Sequence, residues 1–167
     1  KTTWDTPFEY HFRNFIRQAN NAIFDNNRKN VALNKDIFEL SNKYDLIYID
    51  TPYLNSKGSG VDYFGFYHFL EGLTDYANWG KLIDDKYKHK PLKHGKSVWC
   101  DKLKIVDAFH RLFRHFKDSI LVVSYRSDGI PTEDELTALL KRYKQDVRVS
   151  HFGQYKYALS TNSDSKE

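Results

Sequence analysis

Asp45-Leu-Ile-Tyr-Ile-Asp-Thr-Pro-Tyr-Leu-Asn55 runs from an apolar stretch straight into a carboxylate, a proline and an aromatic ring. This grouping suits one kind of chemistry. The exocyclic amine of a nucleobase is a poor nucleophile, because its lone pair is delocalised into the ring. Two hydrogen-bond acceptors, one on each amine hydrogen, draw it towards a tetrahedral and more reactive geometry. The Asp50 carboxylate supplies one acceptor and the Thr51 backbone carbonyl supplies the other. Pro52 stiffens the turn and fixes the direction of that carbonyl. Tyr53 offers a face on which an unstacked base can lie. The plainer alternative is a strand stopped by a Thr-Pro turn, with no chemistry attached.

Such a site works only if rigid elements aim it. The run Asp45–Ile49 predicts a buried strand that ends at Asp50. Ser119–Ser124 is a second continuous apolar run, of the kind found in a parallel sheet covered on both faces. Phe8, Phe12, Phe15, Ile16, Ala19 and Ile23 recur at helical spacing, and Asn26-Asn27 ends that pattern. Val31–Leu33 predicts a short strand ending at Asn34-Lys-Asp36, followed by a helical turn over Ile37–Ser41. Residues 54–60 form a glycine- and serine-containing loop, and a helix is expected from about Phe64 to Asp75. Asp101–Phe116 predicts an amphipathic helix with Leu103, Val106, Phe109, Leu112, Phe113 and Phe116 inward. Thr132-Glu-Asp-Glu135 is a capping box that opens a helix running to Tyr143. Val147–His151 and Tyr155–Ser160 predict a closing antiparallel hairpin. The expected fold is α/β, with parallel strands, helices on both faces and an antiparallel edge. Ligands of such sheets bind beyond the carboxyl ends of the strands, where Asp36, Asp50 and Ser124-Tyr125 fall. Residues 1–160 form one domain, and 161–167 a polar tail.

Asp50-Thr-Pro-Tyr53 resembles the Asp-Pro-Pro-Tyr motif of amino-methyltransferases, and its surroundings resemble the Dam-like, alpha-group DNA adenine methyltransferases. Three further stretches carry the likeness: Asn30–Asp36, Phe66-Tyr-His-Phe-Leu-Glu-Gly-Leu73, and Ile120-Leu-Val-Val-Ser-Tyr-Arg-Ser-Asp-Gly129 with the acidic helix and Tyr-Lys-Tyr segment after it. The resemblance covers residues 20 to 160. It implies a partial Rossmann-like methyltransferase sheet and transfer of a methyl group from S-adenosylmethionine to adenine in double-stranded DNA, whether in a restriction-modification, phage or chromosome-marking setting. It also implies roles. Asp50 and the Thr51 carbonyl would hold the target amine, and Tyr53 would stack on the adenine. Asp50 would lie close to the methionine end of the cofactor, and Asp36 near its adenosine.

Two departures stand out. Thr51 occupies the place of the first proline, keeping the carbonyl but loosening the backbone. The glycine-rich Phe-x-Gly-x-Gly loop that holds the cofactor in this family is absent, and Gly58-Ser-Gly60 follows the wrong strand to replace it. The chain has no methionine and opens at Lys1, so it reads as the carboxyl-terminal part of a longer protein, with the missing amino-terminal part as its partner. One rival reading is an amino-methyltransferase acting on RNA or protein glutamine. Another is a DNA-binding module without catalysis.

Lys86, Lys88, Lys90, Lys93 and Lys96 form an acid-free run with His89 and His94, readable as a DNA-phosphate contact or as a solvated loop. Arg126 reads as a phosphate or pocket contact, or as a turn cap through Asp128. Tyr63, Phe64, Phe66, Tyr67, Phe69 and Trp79 are readable as base-stacking rings, but their helical spacing makes most of them core. The histidines and Cys100 fit no zinc spacing, so no metal is expected. Cys100 reads as a buried or half-buried thiol. Composition is consistent with this picture: 167 residues, 40% hydrophobic, 16% aromatic, net charge +4 and pI near 9.0 suit a polyanionic partner. No apolar run is long enough to cross a membrane, and a single cysteine suits a reducing, cytoplasmic setting.

Overall fold

The computed structural model describes residues 5–153. The chain divides into two compact units, residues 1–36 and 37–167. In the first, α1 (Phe8–Ala22) starts after Pro7, whose missing N–H costs nothing at a helix start. Arg13 pairs with Glu9 one turn back at 2.7 Å. Past the helix, the Asp25 and Asn26 side chains accept the amides of Asn27 and Arg28, and Asn27 adopts a positive φ of 56°. These local bonds compete with the helix and account for the break expected at Asn26-Asn27. Residues 31–33 do not form the expected strand. Val31 and Leu33 are exposed and have no ladder partner among the described residues.

The second unit holds the sheet. A 3-10 turn (Ile37–Glu39) precedes β1 (Leu46–Ile49), which pairs in parallel with β2 (Ile120–Val123) in the register Leu46↔Ile120 to Ile49↔Val123. Side chains alternate across the sheet. Ile47, Ile49, Leu121 and Val123 face a core built on α5 (Ile105–His115) and α6 (Glu133–Lys141). Leu46, Tyr48, Ile120 and Val122 on the opposite face are exposed, so the described residues cover one face of the sheet rather than two.

Ile105, Ala108, Phe109, Leu112 and Phe113, with Phe116 just beyond, form the buried stripe of α5. They fall at i, i+3, i+4, i+7, i+8 and i+11, a single helix face. Leu103 is 84% exposed and Val106 45% exposed, which corrects two of the expected inward positions. The helix begins at Ile105, so Leu103 precedes it and Val106 falls off the stripe. The capping box at α6 forms as expected: Thr132 Oγ1 accepts from the Glu135 amide at 3.3 Å, and Glu135 Oε2 accepts from the Thr132 amide at 2.9 Å.

Between the strands, the expected helix over 64–75 is broken at Tyr67 into α2 (Tyr63–Phe66) and α3 (His68–Thr74). A further turn, α4 (Trp79–Leu82), follows beyond the expected helix. Residues 147–151 are irregular, and the second arm of the expected hairpin, 155–160, lies outside the described residues.

Candidate active site

β1 runs through buried Ile49 and delivers Asp50, exposed, at its carboxyl end. β2 ends alongside, where the Ser124 amide donates to the Ile49 carbonyl at 2.9 Å. That ladder bond fixes Ser124 beside Asp50. Tyr53 then folds back three residues: its phenol donates to Asp50 Oδ1 and lies 3.1 Å from Ser124 Oγ. Asp50 Oδ2 has no partner among the described residues. Asp50, Tyr53 and Ser124 therefore form one connected group at the carboxyl end of a parallel pair.

The ring of Tyr53 is held from the side as well. Tyr125 meets it edge-on, with centroids 5.5 Å apart at 89°, and meets core Phe109 at 5.4 Å and 90°. Phe109 in turn packs edge-on to Trp99 at 5.3 Å. Such edge-to-face pairs follow the ring quadrupoles. The Tyr125 hydroxyl donates to the Ile130 carbonyl and accepts from the Leu54 amide at 3.5 Å. Burial pushes its phenol pKa above the usual value, so it stays a donor.

Backbone bonds stitch the two loops together. The Ile130 amide donates to the Leu54 carbonyl at 3.1 Å, and Asn55 bridges Gly129. A Cβ at Gly129 would lie 2.5 Å from the Tyr125 ring, so the close approach needs glycine there. The Asn55 side chain accepts from the amides of Lys57 and Ser59, shaping the turn that brings Gly60 back to Leu54. Thr51 is half-buried. Its hydroxyl is fully buried with no hydrogen-bond partner among the described residues.

The lysine run forms a loop closed at its base. The Asp84 amide donates to the Pro91 carbonyl and the Lys93 amide to the Leu82 carbonyl, each at 2.7 Å, around an Ile83–Leu92 bridge. Lys86, Lys88, Lys90, Lys93 and Lys96 are all exposed, and Lys90 pairs with Asp85 at 3.3 Å. The loop abuts the preceding helices: His94 contacts Asp62 at 3.0 Å and Phe64 at 4.6 Å, and the His89 ring lies 6.0 Å from His68. The aromatic segment is not the core expected for it. Tyr63, Phe66, Tyr67 and Phe69 are exposed, while Phe64 and Trp79 are half-buried.

Arg126 makes a two-pronged pair with Asp128, at 2.5 and 2.8 Å, and this pairing holds the Asp128 carboxyl below its usual range. Asp36 is exposed at the end of the first unit. Cys100 is half-buried, its thiol 3.6 Å from the Val61 carbonyl, and burial raises its pKa, with Asp62 adding to the effect. Among the described residues no histidine, cysteine and carboxylate cluster could hold a metal, and no helix is long and apolar enough to cross a membrane. Ser124 and Tyr125 were visible in the sequence only as a polar strand end. Their contacts with Tyr53 span 71 and 72 positions, and no local pattern encodes them.

The chain is 33% identical over 145 residues to Type II methyltransferase M2.HphI of Haemophilus parahaemolyticus, an alignment covering 85% of this chain and 38% of that protein. It is 34% identical over 150 residues to Modification methylase StsI of Streptococcus sanguinis, covering 87% and 22%. Type II methyltransferase M.FokI of Planomicrobium okeanokoites is 30% identical over 151 residues, covering 87% and 22%. The chain thus spans roughly a fifth to two fifths of the length of these relatives. No protein-family model and no solved structure matches it.

Proposed function

We propose that this chain is a catalytic part of a DNA adenine methyltransferase of the restriction-modification kind. The observation that carries the proposal is Asp50: an exposed carboxylate at the carboxyl end of a parallel strand, with Oδ1 held by Tyr53 and Oδ2 free to accept. The relatives, all named methyltransferases or modification methylases, support the transferase reading. The choice of adenine, and a Rossmann-like sheet, rest on the resemblance of Asp50-Thr-Pro-Tyr53.

In this reading Asp50 Oδ2 accepts one amine hydrogen and the Thr51 carbonyl the other, which raises the nucleophilicity of the amine. Tyr53 presents its ring to the base, and Pro52 restricts the turn. Once the amine has reacted, its extra proton leaves to water, and no strong base is required. S-adenosylmethionine supplies an electrophilic methyl group when bound. The donor set fits it in part: the exposed Asp50 carboxylate suits the cationic methionine end, and Asp36 is assigned to the adenosine end on the resemblance. We assign the glycine-rich cofactor loop to a part of the protein outside this chain.

Lys86, Lys88, Lys90, Lys93 and Lys96 are assigned to DNA phosphates, and their loop abuts, through His89 and His94, the segment that carries the exposed rings of Tyr63, Phe66, Tyr67 and Phe69. A basic loop beside exposed aromatics favours a nucleic acid over a protein partner. For Arg126, the pair with Asp128 supports a turn-holding role first.

The test is transfer of radiolabelled methyl from S-adenosylmethionine to unmethylated double-stranded DNA by the full-length protein and its Asp50→Ala variant. Label is expected on adenine, reduced at least about a hundredfold by the substitution. Label on cytosine would reassign the base, and label that survives Asp50→Ala would remove Asp50 from the chemistry.

A further inference from the structure

We infer that Ser124 is a positioning residue, which acts through Tyr53 to aim the Asp50 carboxylate. The inference rests on the reading of Asp50 given above and concerns a residue outside the Asp50–Tyr53 motif.

Counting protons gives the direction of the network. A phenol has one O–H, and that of Tyr53 is directed to Asp50 Oδ1. The 3.1 Å contact between Tyr53 and Ser124 therefore has the serine hydroxyl as donor, into a lone pair of the phenol oxygen. Ser124 donates to Tyr53 and Tyr53 donates to Asp50, a chain of two bonds ending on a carboxylate. Donation into the phenol oxygen polarises its own O–H, so each bond strengthens the other.

The origin of this chain is rigid. Ser124 sits on the last ladder bond between the two strands, its amide 2.9 Å from the Ile49 carbonyl, one residue before Asp50. The same backbone thus locates the serine hydroxyl and the carboxylate it serves. Tyr53 has two side-chain torsions to fix. The edge contact with Tyr125 restrains the ring, and Ser124 and Asp50 restrain the hydroxyl. The result is selection of one carboxylate oxygen: Oδ1 is taken by the phenol, and Oδ2 of this exposed residue is left to accept. Without Ser124 the phenol keeps its bond to Asp50 and the ring its edge contact with Tyr125, but the hydroxyl loses the donor that fixes it at the strand end. The hydroxyl and the carboxylate it holds are then less narrowly aimed, and orientation is most of what this site contributes.

The test is a double-variant cycle in the full-length protein, read by single-turnover methyl transfer and steady-state kinetics. Ser124→Ala is expected to slow the transfer step about tenfold, with KM for DNA and for S-adenosylmethionine held within about twofold. Ser124→Thr, which keeps the hydroxyl, is expected to restore most of the rate. In a Tyr53→Phe background, Ser124→Ala is expected to have no further effect, since its route to Asp50 is already cut. An equal loss in both backgrounds, an effect on KM alone, or failure of Ser124→Thr to restore the rate at unchanged melting temperature would overturn the inference. These outcomes leave the Asp50 assignment standing. A parent protein that transfers no methyl group would overturn the assignment and the inference together.

Discussion

Thr51 carries a hydroxyl that the site does not use. It is buried and has no hydrogen-bond partner among the described residues, so it bears a desolvation penalty with no bond to offset it. Only its backbone carbonyl enters the proposed chemistry. Thr51→Val keeps the shape and the carbonyl while deleting the hydroxyl. It should leave transfer within about threefold of the parent and raise stability by up to about 1 kcal/mol, as read by denaturant titration. A loss comparable to that of Asp50→Ala would mean that the hydroxyl takes part. The order of Asp50, Thr51, Pro52 and Tyr53 is legible in the sequence because a strand followed by a proline turn keeps these residues adjacent. Ser124 and Tyr125 are not legible as partners, because parallel pairing brings them in from across the fold. Arg126 had two sequence readings, and the carboxylate it grips two residues later supports the local one.

Elements are legible in proportion to how local their determinants are. The capping box of α6 lies within four residues, and both of its bonds form where the sequence expects them. Thr132→Ala should destabilise the protein by about 1 kcal/mol, seen as a lower melting temperature with no change in the transfer rate of the folded protein. The inward face of α5 depended on where that helix starts, and a start at Ile105 replaces Leu103 and Val106 with Ile105 and Ala108. The segment over 63–76 follows a non-local rule. Asp62 caps α2 through the Gly65 amide while also holding His94 of the lysine loop, so its geometry answers to a contact 32 residues away. Gly72 is buried against Trp79, and a Cβ there would lie 2.4 Å from the indole. Val31–Leu33 has strand composition but no ladder partner among the described residues, and backbone pairing rather than propensity decides a strand.

For the molecule as a whole, the α/β class and the parallel pair follow from the two apolar runs, while covering of both faces does not. The lysine loop contributes charge more than shape, so its proposed role is testable by salt. Replacing Lys86, Lys88, Lys93 and Lys96 with alanine should weaken DNA binding, and should reduce the slope of log Kd against log salt by about 0.9 for each phosphate no longer neutralised. Unchanged slopes in fluorescence anisotropy would release the loop from DNA. The series Trp99, Phe109, Tyr125 and Tyr53 has a further consequence, which is optical. Four rings in edge contact join an indole to the phenol beside Asp50. With the other tryptophans of the full-length protein exchanged for phenylalanine, Trp4 and Trp79 of this chain among them, Trp99 emits alone, and a change in its emission as DNA is mixed in a stopped-flow cell would time repacking of these rings.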